Sequence, residues 1–128
     1  LLKLIYKIKG MERTSLVTDG MAYSAFDAQK DTGRTDIPKI IIEDGVCKLA
    51  DRSALAGSIA TMDVVVRTMV QKAGISLTDA IRMASETPAR RMNIADRKGS
   101  LEKGKDADIV VLSKELEVIQ TFCRGERI

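Results

Sequence analysis

The most informative absence in this chain of 128 residues is histidine, which does not occur at all. Without an imidazole, these residues alone cannot form a Ser-His or Cys-His nucleophile pair or a histidine-ligated metal site. The two cysteines, Cys47 and Cys123, have no CxxC spacing and cannot form a disulfide framework. We therefore expect inert, buried thiols in strands and a reducing, cytoplasmic location.

Aromatic residues and long apolar runs are also scarce. Aromatics make up 3% of the chain, too few for base-stacking platforms, and the net charge is only +3, so no nucleic-acid partner is expected. The longest apolar runs, such as residues 64–66 and 109–112, are far too short to cross a bilayer, and no membrane partner is expected. Because Leu1 opens directly into an amphipathic pattern, we expect no signal peptide and a piece of a longer polypeptide.

Apolar residues at helical spacing predict four helices. The segments are residues 1–8, 58–73, 76–84 and 87–92. We expect Gly10 to follow the first helix, and Ser58, Ser76 and Thr87 to cap the other three in order. The predicted buried face of the third helix consists of Leu77, Ala80, Ile81 and Ala84. Four methionines are expected to fill the core: Met62, Met69, Met83 and Met92.

Short apolar and β-branched segments predict strands. The segments are residues 15–18, 39–43, 46–49, 107–112 and 116–123. Asp44-Gly45 predicts a two-residue hairpin turn, since such turns need positive φ. The polar residues 22–37 are interpreted as a long surface loop. Arg124-Gly125-Glu126 predicts a further turn before a strand that is cut short.

Asp19 is the first candidate for chemistry, because it follows the predicted buried strand 15–18. Barrel and α/β enzymes place catalytic groups at the carboxyl ends of their strands. The alternative is a structural Asp that shapes its own turn before Gly20.

A second candidate is the run of small residues Leu55-Ala56-Gly57-Ser58. Small side chains and the first N–H groups of a helix suit close contact with a ligand. The alternative is an ordinary helix cap. The charged segment 99–108 and the basic cluster at Arg90, Arg91, Arg97 and Lys98 are interpreted as solvated surface.

Several motifs together carry a resemblance to a known family. They occur in one order: Leu16-Val17-Thr18-Asp19, Leu55-Ala56-Gly57-Ser58 with Thr61-Met62-Asp63, Met83-Ala84-Ser85 with Thr87-Pro88-Ala89-Arg90, Gly99-Ser100-Leu101, and Gly104-Lys105-Asp106-Ala107-Asp108. This series resembles the C-terminal third of the N-acetylglucosamine-6-phosphate deacetylases of the amidohydrolase superfamily. The resemblance covers essentially the whole chain.

The resemblance implies an α/β fold: the C-terminal fragment of a metal-dependent (β/α)8, or TIM-type, barrel with part of a small β-sandwich domain. Residues 1–95 would supply the last barrel strand and closing helices, with a β-hairpin insertion. Residues 96–128 would supply C-terminal strands of the β domain. Two departures are visible: Gly20 stands where the family more often has Ala, and residues 37–54 differ from the usual approach to the loop.

The activity implied is hydrolysis of the acetyl group from N-acetylglucosamine 6-phosphate, which gives acetate and glucosamine 6-phosphate. Asp19 would match the catalytic aspartate, which takes a proton from the attacking water and then delivers one to the leaving amine. Residues 55–58 (Leu55, Ala56, Gly57 and Ser58) would match the substrate loop. A divalent metal such as Zn or Fe is implied, with ligands outside this chain, and so is a homodimer of the full-length enzyme.

Two hypotheses from different classes therefore stand. In the first, the chain is part of a deacetylase of amino-sugar catabolism and is inactive alone, since it lacks histidine. In the second, it is a free-standing, non-catalytic α/β module that binds a ligand or partner. The mass of the natural polypeptide separates them.

Overall fold

A computed structural model describes residues 1–21 and 40–128, which divide into two compact units by their internal contacts. One unit comprises Leu1–Val17 and Met62–Ile128, and the other comprises Thr18–Thr61. The predicted loop 22–37 lies outside the described residues. The family-based division at residue 95 stays a prediction. No helix among the described residues is long and apolar enough to span a bilayer.

The described part of the chain contains helices and strands in mixed order. In chain order they are α1 (Leu2–Lys9), a 3-10 turn (Met11–Arg13), β1 (Ile40–Glu43), β2 (Val46–Leu49), α2 (Met62–Gln71), α3 (Leu77–Ala84), α4 (Glu86–Arg91), β3 (Ile109–Leu112), β4 (Val118–Cys123) and β5 (Glu126–Arg127). In the larger unit, α2 and α3 pack together and β3, β4 and β5 form an antiparallel sheet. The smaller unit contains the β1–β2 hairpin.

The helix caps are partly as predicted. Ser76 caps α3, because its Oγ accepts the Asp79 N–H at 3.1 Å, and Gly10 follows α1 with a positive φ of 69°. The Ser58 cap is wrong. Helix α2 begins only at Met62, because the Ser58 Oγ accepts the nearby Ala60 N–H at 2.8 Å and forms a local turn instead.

The Thr87 cap is also wrong, since α4 begins at Glu86 and contains Thr87 in its first turn. Thr87 is buried, and its Oγ1 donates to the carbonyl oxygen of Met11 at 3.0 Å. A buried hydroxyl needs such a partner. Thr87 therefore joins α4 to the 3-10 turn rather than capping its own helix.

The core of the larger unit lies between α2, α3 and the segment after the 3-10 turn. Its buried members are Leu16, Val66, Met69, Ala73, Ile75, Ala80 and Met83. The predicted face of α3 is right at Ala80 but wrong at Leu77 and Ile81, which are exposed. Ala80 and Met83, three residues apart, form the face that packs instead.

The predicted methionine core is half right. Met69 and Met83 are buried, whereas Met62 and Met92 are exposed. Met92 follows α4 at the cap position, beyond the part of the helix that packs against its neighbours. Helical spacing near a helix end therefore overestimated burial.

Helix α1 forms as predicted, but its apolar face is not buried. The helix has no buried residue, and Leu4 and Ile8 remain 57% and 67% exposed. Apolar side chains at helical spacing favour a helix that packs against a partner. The described residues do not supply a partner that covers this face.

The strand predicted at residues 15–18 is wrong for the described part of the chain. Leu16 is buried and its N–H donates to the Met83 carbonyl oxygen at 2.8 Å, but no ladder forms there. A single parallel bridge joins Gly20 to Ser58. A strand needs a neighbouring strand to complete its hydrogen bonds. Residues 15–18 have no such neighbour among the described residues, and the isolated bridge lies just after them.

The hairpin prediction is confirmed. Strands β1 and β2 pair from Ile40 with Leu49 to Glu43 with Val46, and Asp44 and Gly45 have φ values of 55° and 74°. These positive angles match the twist of a two-residue turn.

The two later strands are also confirmed as β3 and β4, and a short β5 follows the predicted turn. Cys47 is buried as expected, at 1% exposure. Cys123 is exposed, against expectation, because it ends β4 next to the turn at Arg124 and Gly125.

Met83 is the side chain on which the packing of the larger unit most depends, because it has no exposed surface. We expect Met83→Ala to lower the free energy of unfolding by about 2–5 kcal/mol through lost burial and a residual cavity. Met92→Ala, at a 70% exposed position, is the matched control and should change it by less than about 0.5 kcal/mol. Urea unfolding measures both. Equal losses for the two variants would contradict this description of the core.

One polar contact links α1 to the first turn of α3. The Tyr6 Oη donates to the Asp79 Oδ2 at 2.6 Å. This hydrogen bond, with help from Ser76 and the charge of Arg82, holds the pKa of Asp79 below its ordinary value of 3.8. The same bond raises the pKa of Tyr6.

The Tyr6 contact predicts a pH dependence. Because Asp79 loses its proton more readily when folded, its stabilising contribution is present above the unfolded-state pKa and is lost as pH falls through the folded-state pKa. We therefore expect the free energy of unfolding to decline below about pH 3.8, and to decline less steeply in Tyr6→Phe. Urea unfolding between pH 2.5 and 6 tests this, with Asp79→Asn as control. An unchanged acid slope in Tyr6→Phe would refute it.

Candidate functional site

Asp19 lies in the smaller unit, in a left-handed backbone conformation with a φ of 48°. This region is uncommon for residues other than glycine, although Asp and Asn tolerate it best. The Asp19 side chain is exposed, so the described residues do not provide the buried setting that a strand end predicted. The carboxylate is therefore accessible to a small molecule from the side that these residues leave open.

The backbone beside Asp19 pairs with the loop at residues 55–58. The Ser58 N–H donates to the Asp19 carbonyl oxygen at 2.9 Å, and the Met21 N–H donates to the Ser58 carbonyl oxygen at 2.9 Å. These two bonds form the parallel bridge between Gly20 and Ser58. The structure thus brings together the two candidate segments, which lie far apart in the sequence.

The hairpin holds the other side of the same loop. The Ala56 N–H donates to the Cys47 carbonyl oxygen at 3.0 Å, and the Leu49 N–H donates to the Ala54 carbonyl oxygen at 3.0 Å. Leu55 forms an antiparallel bridge with Lys48. The loop is therefore fixed from both sides by backbone hydrogen bonds.

These bonds change what the loop can offer a ligand. The N–H groups of Ala56 and Ser58 are already donated to Cys47 and Asp19, so they are not available to a substrate. Leu55 projects outward, with 70% of its surface exposed. Contact with a bound molecule would therefore fall mainly on Leu55.

Three other carboxylates of this unit that the structure describes are occupied by neighbours. Arg52 and Lys48 contact Glu43 and hold its pKa below the ordinary value. Asp44 pairs with Lys48 at 3.0 Å, and the N–H and hydroxyl of Ser53 lower the pKa of Asp51. These contacts engage all three carboxylates. Asp19 is the better candidate for proton transfer.

Two residues of the predicted basic cluster form an ion-pair network with the predicted charged segment 99–108. Arg97 and Lys98 pair with Asp106 at 2.9 and 3.1 Å, and Lys98 also contacts Asp108. These cations lower the pKa of both aspartates. Asp108 also accepts the Arg124 N–H at 3.0 Å. Sequence reasoning had missed this structural role, although alternating acids and bases before a strand were its signal.

A complete metal site cannot be assembled from the described residues. Between residues 1–21 and 40–128, no group of three or more Cys, Asp or Glu side chains is arranged to hold an ion. Histidine is absent from the whole sequence. That the metal ligands lie outside this chain, as the resemblance implies, stays a prediction.

Comparison with known proteins agrees with the resemblance. The sequence model of the amidohydrolase family matches residues 12–128. N-acetylglucosamine-6-phosphate deacetylase of Bacillus subtilis (strain 168) is 38% identical over 124 residues, which are 96% of this chain and 30% of that protein.

Solved structures give the same result. The deacetylase of Pasteurella multocida superposes with a TM-score of 0.84 at 29% identity, over 99% of this chain and 32% of that one. The Mycobacterium smegmatis enzyme, solved in complex with N-acetyl-D-glucosamine-6-phosphate, superposes with a TM-score of 0.82 at 32% identity, over 98% of this chain and 33% of that one.

The chain therefore spans about a third of the length of the relatives it matches. The predicted resemblance is confirmed, and so is the α/β fold class of a (β/α)8-barrel amidohydrolase represented in part. Amidohydrolases are generally metal-dependent. With a family match over nearly all of its residues, this chain belongs to the amidohydrolase family.

Proposed function

We propose that this chain contributes to an enzyme that hydrolyses the acetyl group of N-acetylglucosamine 6-phosphate. The observation that supports this most is the pairing of Asp19 with the loop at Ser58, in a chain 38% identical to a deacetylase of that specificity. An accessible carboxylate beside a fixed loop is what amide hydrolysis requires of this segment. The products are acetate and glucosamine 6-phosphate.

Asp19 moves the proton in this proposal. As the attacking water adds to the amide carbonyl, the carboxylate accepts a proton from it. The protonated Asp19 then donates that proton to the amine nitrogen, and the C–N bond breaks. One carboxylate serves both steps because the proton taken in the first is the one given in the second.

The loop orients the sugar. Leu55, Ala56, Gly57 and Ser58 form the proposed substrate-contacting segment, with the exposed Leu55 side chain as its apolar surface. The bonds from Ala56 to Cys47 and from Ser58 to Asp19 keep this segment in place. The loop therefore holds one edge of the substrate at a fixed distance from the carboxylate.

The metal-binding groups of the proposed enzyme lie outside this chain. A divalent metal such as Zn or Fe would be held by residues elsewhere in the complete protein, since the described residues do not fit one. The substrate class is a small amino-sugar phosphate. We further propose a cytoplasmic, homodimeric enzyme.

Substitution of the proposed proton carrier tests the assignment. In the complete natural polypeptide, Asp19→Asn keeps the shape and the tolerance of positive φ but removes the titrating group. We expect kcat for acetate release to fall by about 10²–10⁴-fold, with little change in substrate affinity.

Asp44→Asn is the matched control, because Asp44 is also exposed and has a φ of 55° in the same unit. It should retain turnover. Near-normal turnover of Asp19→Asn would mean that another group carries the proton.

The 128-residue chain by itself should not release acetate from N-acetylglucosamine 6-phosphate, even with added Zn²⁺, because it has no histidine and its described residues form no ligand group. The assay is run beside the complete natural polypeptide, whose mass is measured. A native mass near 14.0 kDa would favour the free-standing binding module instead. Deacetylation by the short chain would refute the prediction.

A further inference from the structure

Gly57 packs tightly against the segment that carries Asp19. A Cβ atom at residue 57 would lie 2.6 Å from Met21 Cγ, 2.7 Å from Met21 Sδ and 3.0 Å from the Asp19 carbonyl oxygen. Real Cβ atoms do not approach other atoms within 3.0 Å. The absence of a side chain thus leaves room for the Met21 side chain and the Asp19 carbonyl oxygen.

This contact is a feature of Gly57 and not of every glycine with the same backbone. Gly57 has a φ of 69° and Gly74 has a φ of 68°, but nothing lies within 4 Å of a Cβ atom built at Gly74. An alanine at either position would have the same conformational strain. Only at Gly57 would it also push against a neighbouring segment.

The backbone around Asp19 depends on that approach. The Ser58 N–H reaches the Asp19 carbonyl oxygen at 2.9 Å, and the Ser58 carbonyl oxygen receives the Met21 N–H at 2.9 Å. These bonds bracket Gly20 and fix the carbonyl group of Asp19, whose φ of 48° is one that an unrestrained aspartate seldom adopts. The direction in which its side chain leaves the backbone depends on that angle.

We infer that Gly57 is a positioning residue for the Asp19 carboxylate, and that its small size serves this contact rather than contact with the substrate. The inference rests on the proposed function. In the complete protein, a side chain at residue 57 would separate Ser58 from Asp19 and release the backbone angle. Misplacement of a proton-transferring group by as little as 1 Å can lower the rate by about 10²-fold.

The test compares Gly57→Ala with Gly74→Ala in the complete natural polypeptide. We expect Gly57→Ala to lower kcat at least 10-fold with KM within about twofold of the wild type, and Gly74→Ala to retain kcat. Amide hydrogen exchange at Ser58 and Met21 is the second readout. It should speed up in Gly57→Ala and stay slow in Gly74→Ala.

The double variant Met21→Ala/Gly57→Ala removes the two closest contacts, so it should recover most of the lost kcat and amide protection. The double variant also tests the inference if Gly57→Ala fails to fold. Recovery of folding and turnover in the double variant would then support the inference, and continued failure would overturn it. A rise in KM with unchanged kcat would overturn it in favour of substrate contact. Equal losses of kcat in Gly57→Ala and Gly74→Ala would also overturn the inference, because backbone strain alone would then explain them.

The inference and the proposed function fail in different ways. If the wild-type polypeptide releases no acetate, the proposed function is wrong, while amide exchange still reports whether Gly57 holds the Asp19 segment. If the wild type is active but Gly57→Ala keeps both turnover and slow exchange, only the inference is wrong.

Discussion

The pairing of Ser58 with the backbone on both sides of Gly20 is the interaction on which the candidate site depends. It joins two segments that the sequence keeps far apart, through two backbone hydrogen bonds between described residues. Among the described residues, this bridge does not extend into a ladder of its own. Its geometry is therefore set by side-chain volume at the crossing, where Gly57 and Met21 meet.

The hairpin makes such a short bridge sufficient. Strand β2 pairs with β1 on one side and with residues 54–56 on the other, so the loop leaves a strand that is already fixed. Glu43, bound by Arg52 and Lys48, ties the two hairpin strands to the turn that follows them. The hairpin and the turn after it thus support the loop.

Local signals predicted local structure well. Asp44-Gly45 predicted the hairpin because both residues accept positive φ, and Ser76 predicted the start of α3 because its hydroxyl reaches the Asp79 N–H. Ser58 carries a similar signal but bonds Ala60 and pairs with the Asp19 segment instead. The strand at residues 15–18 and the burial of α1 depend on partner segments, which spacing within one segment cannot reveal.

The candidate site shows the same division between local and distant information. The motifs at Asp19 and at residues 55–58 could be found in the sequence, but the contact between them could not. Backbone N–H and carbonyl groups make that contact, and almost every residue type has both. Nor could the sequence indicate that the N–H groups of Ala56 and Ser58 already donate hydrogen bonds to backbone carbonyl groups of the same unit. A run of small residues before a helix suggests a ligand cradle. Here its smallest member, Gly57, allows close packing, and Leu55 is the exposed member of the run.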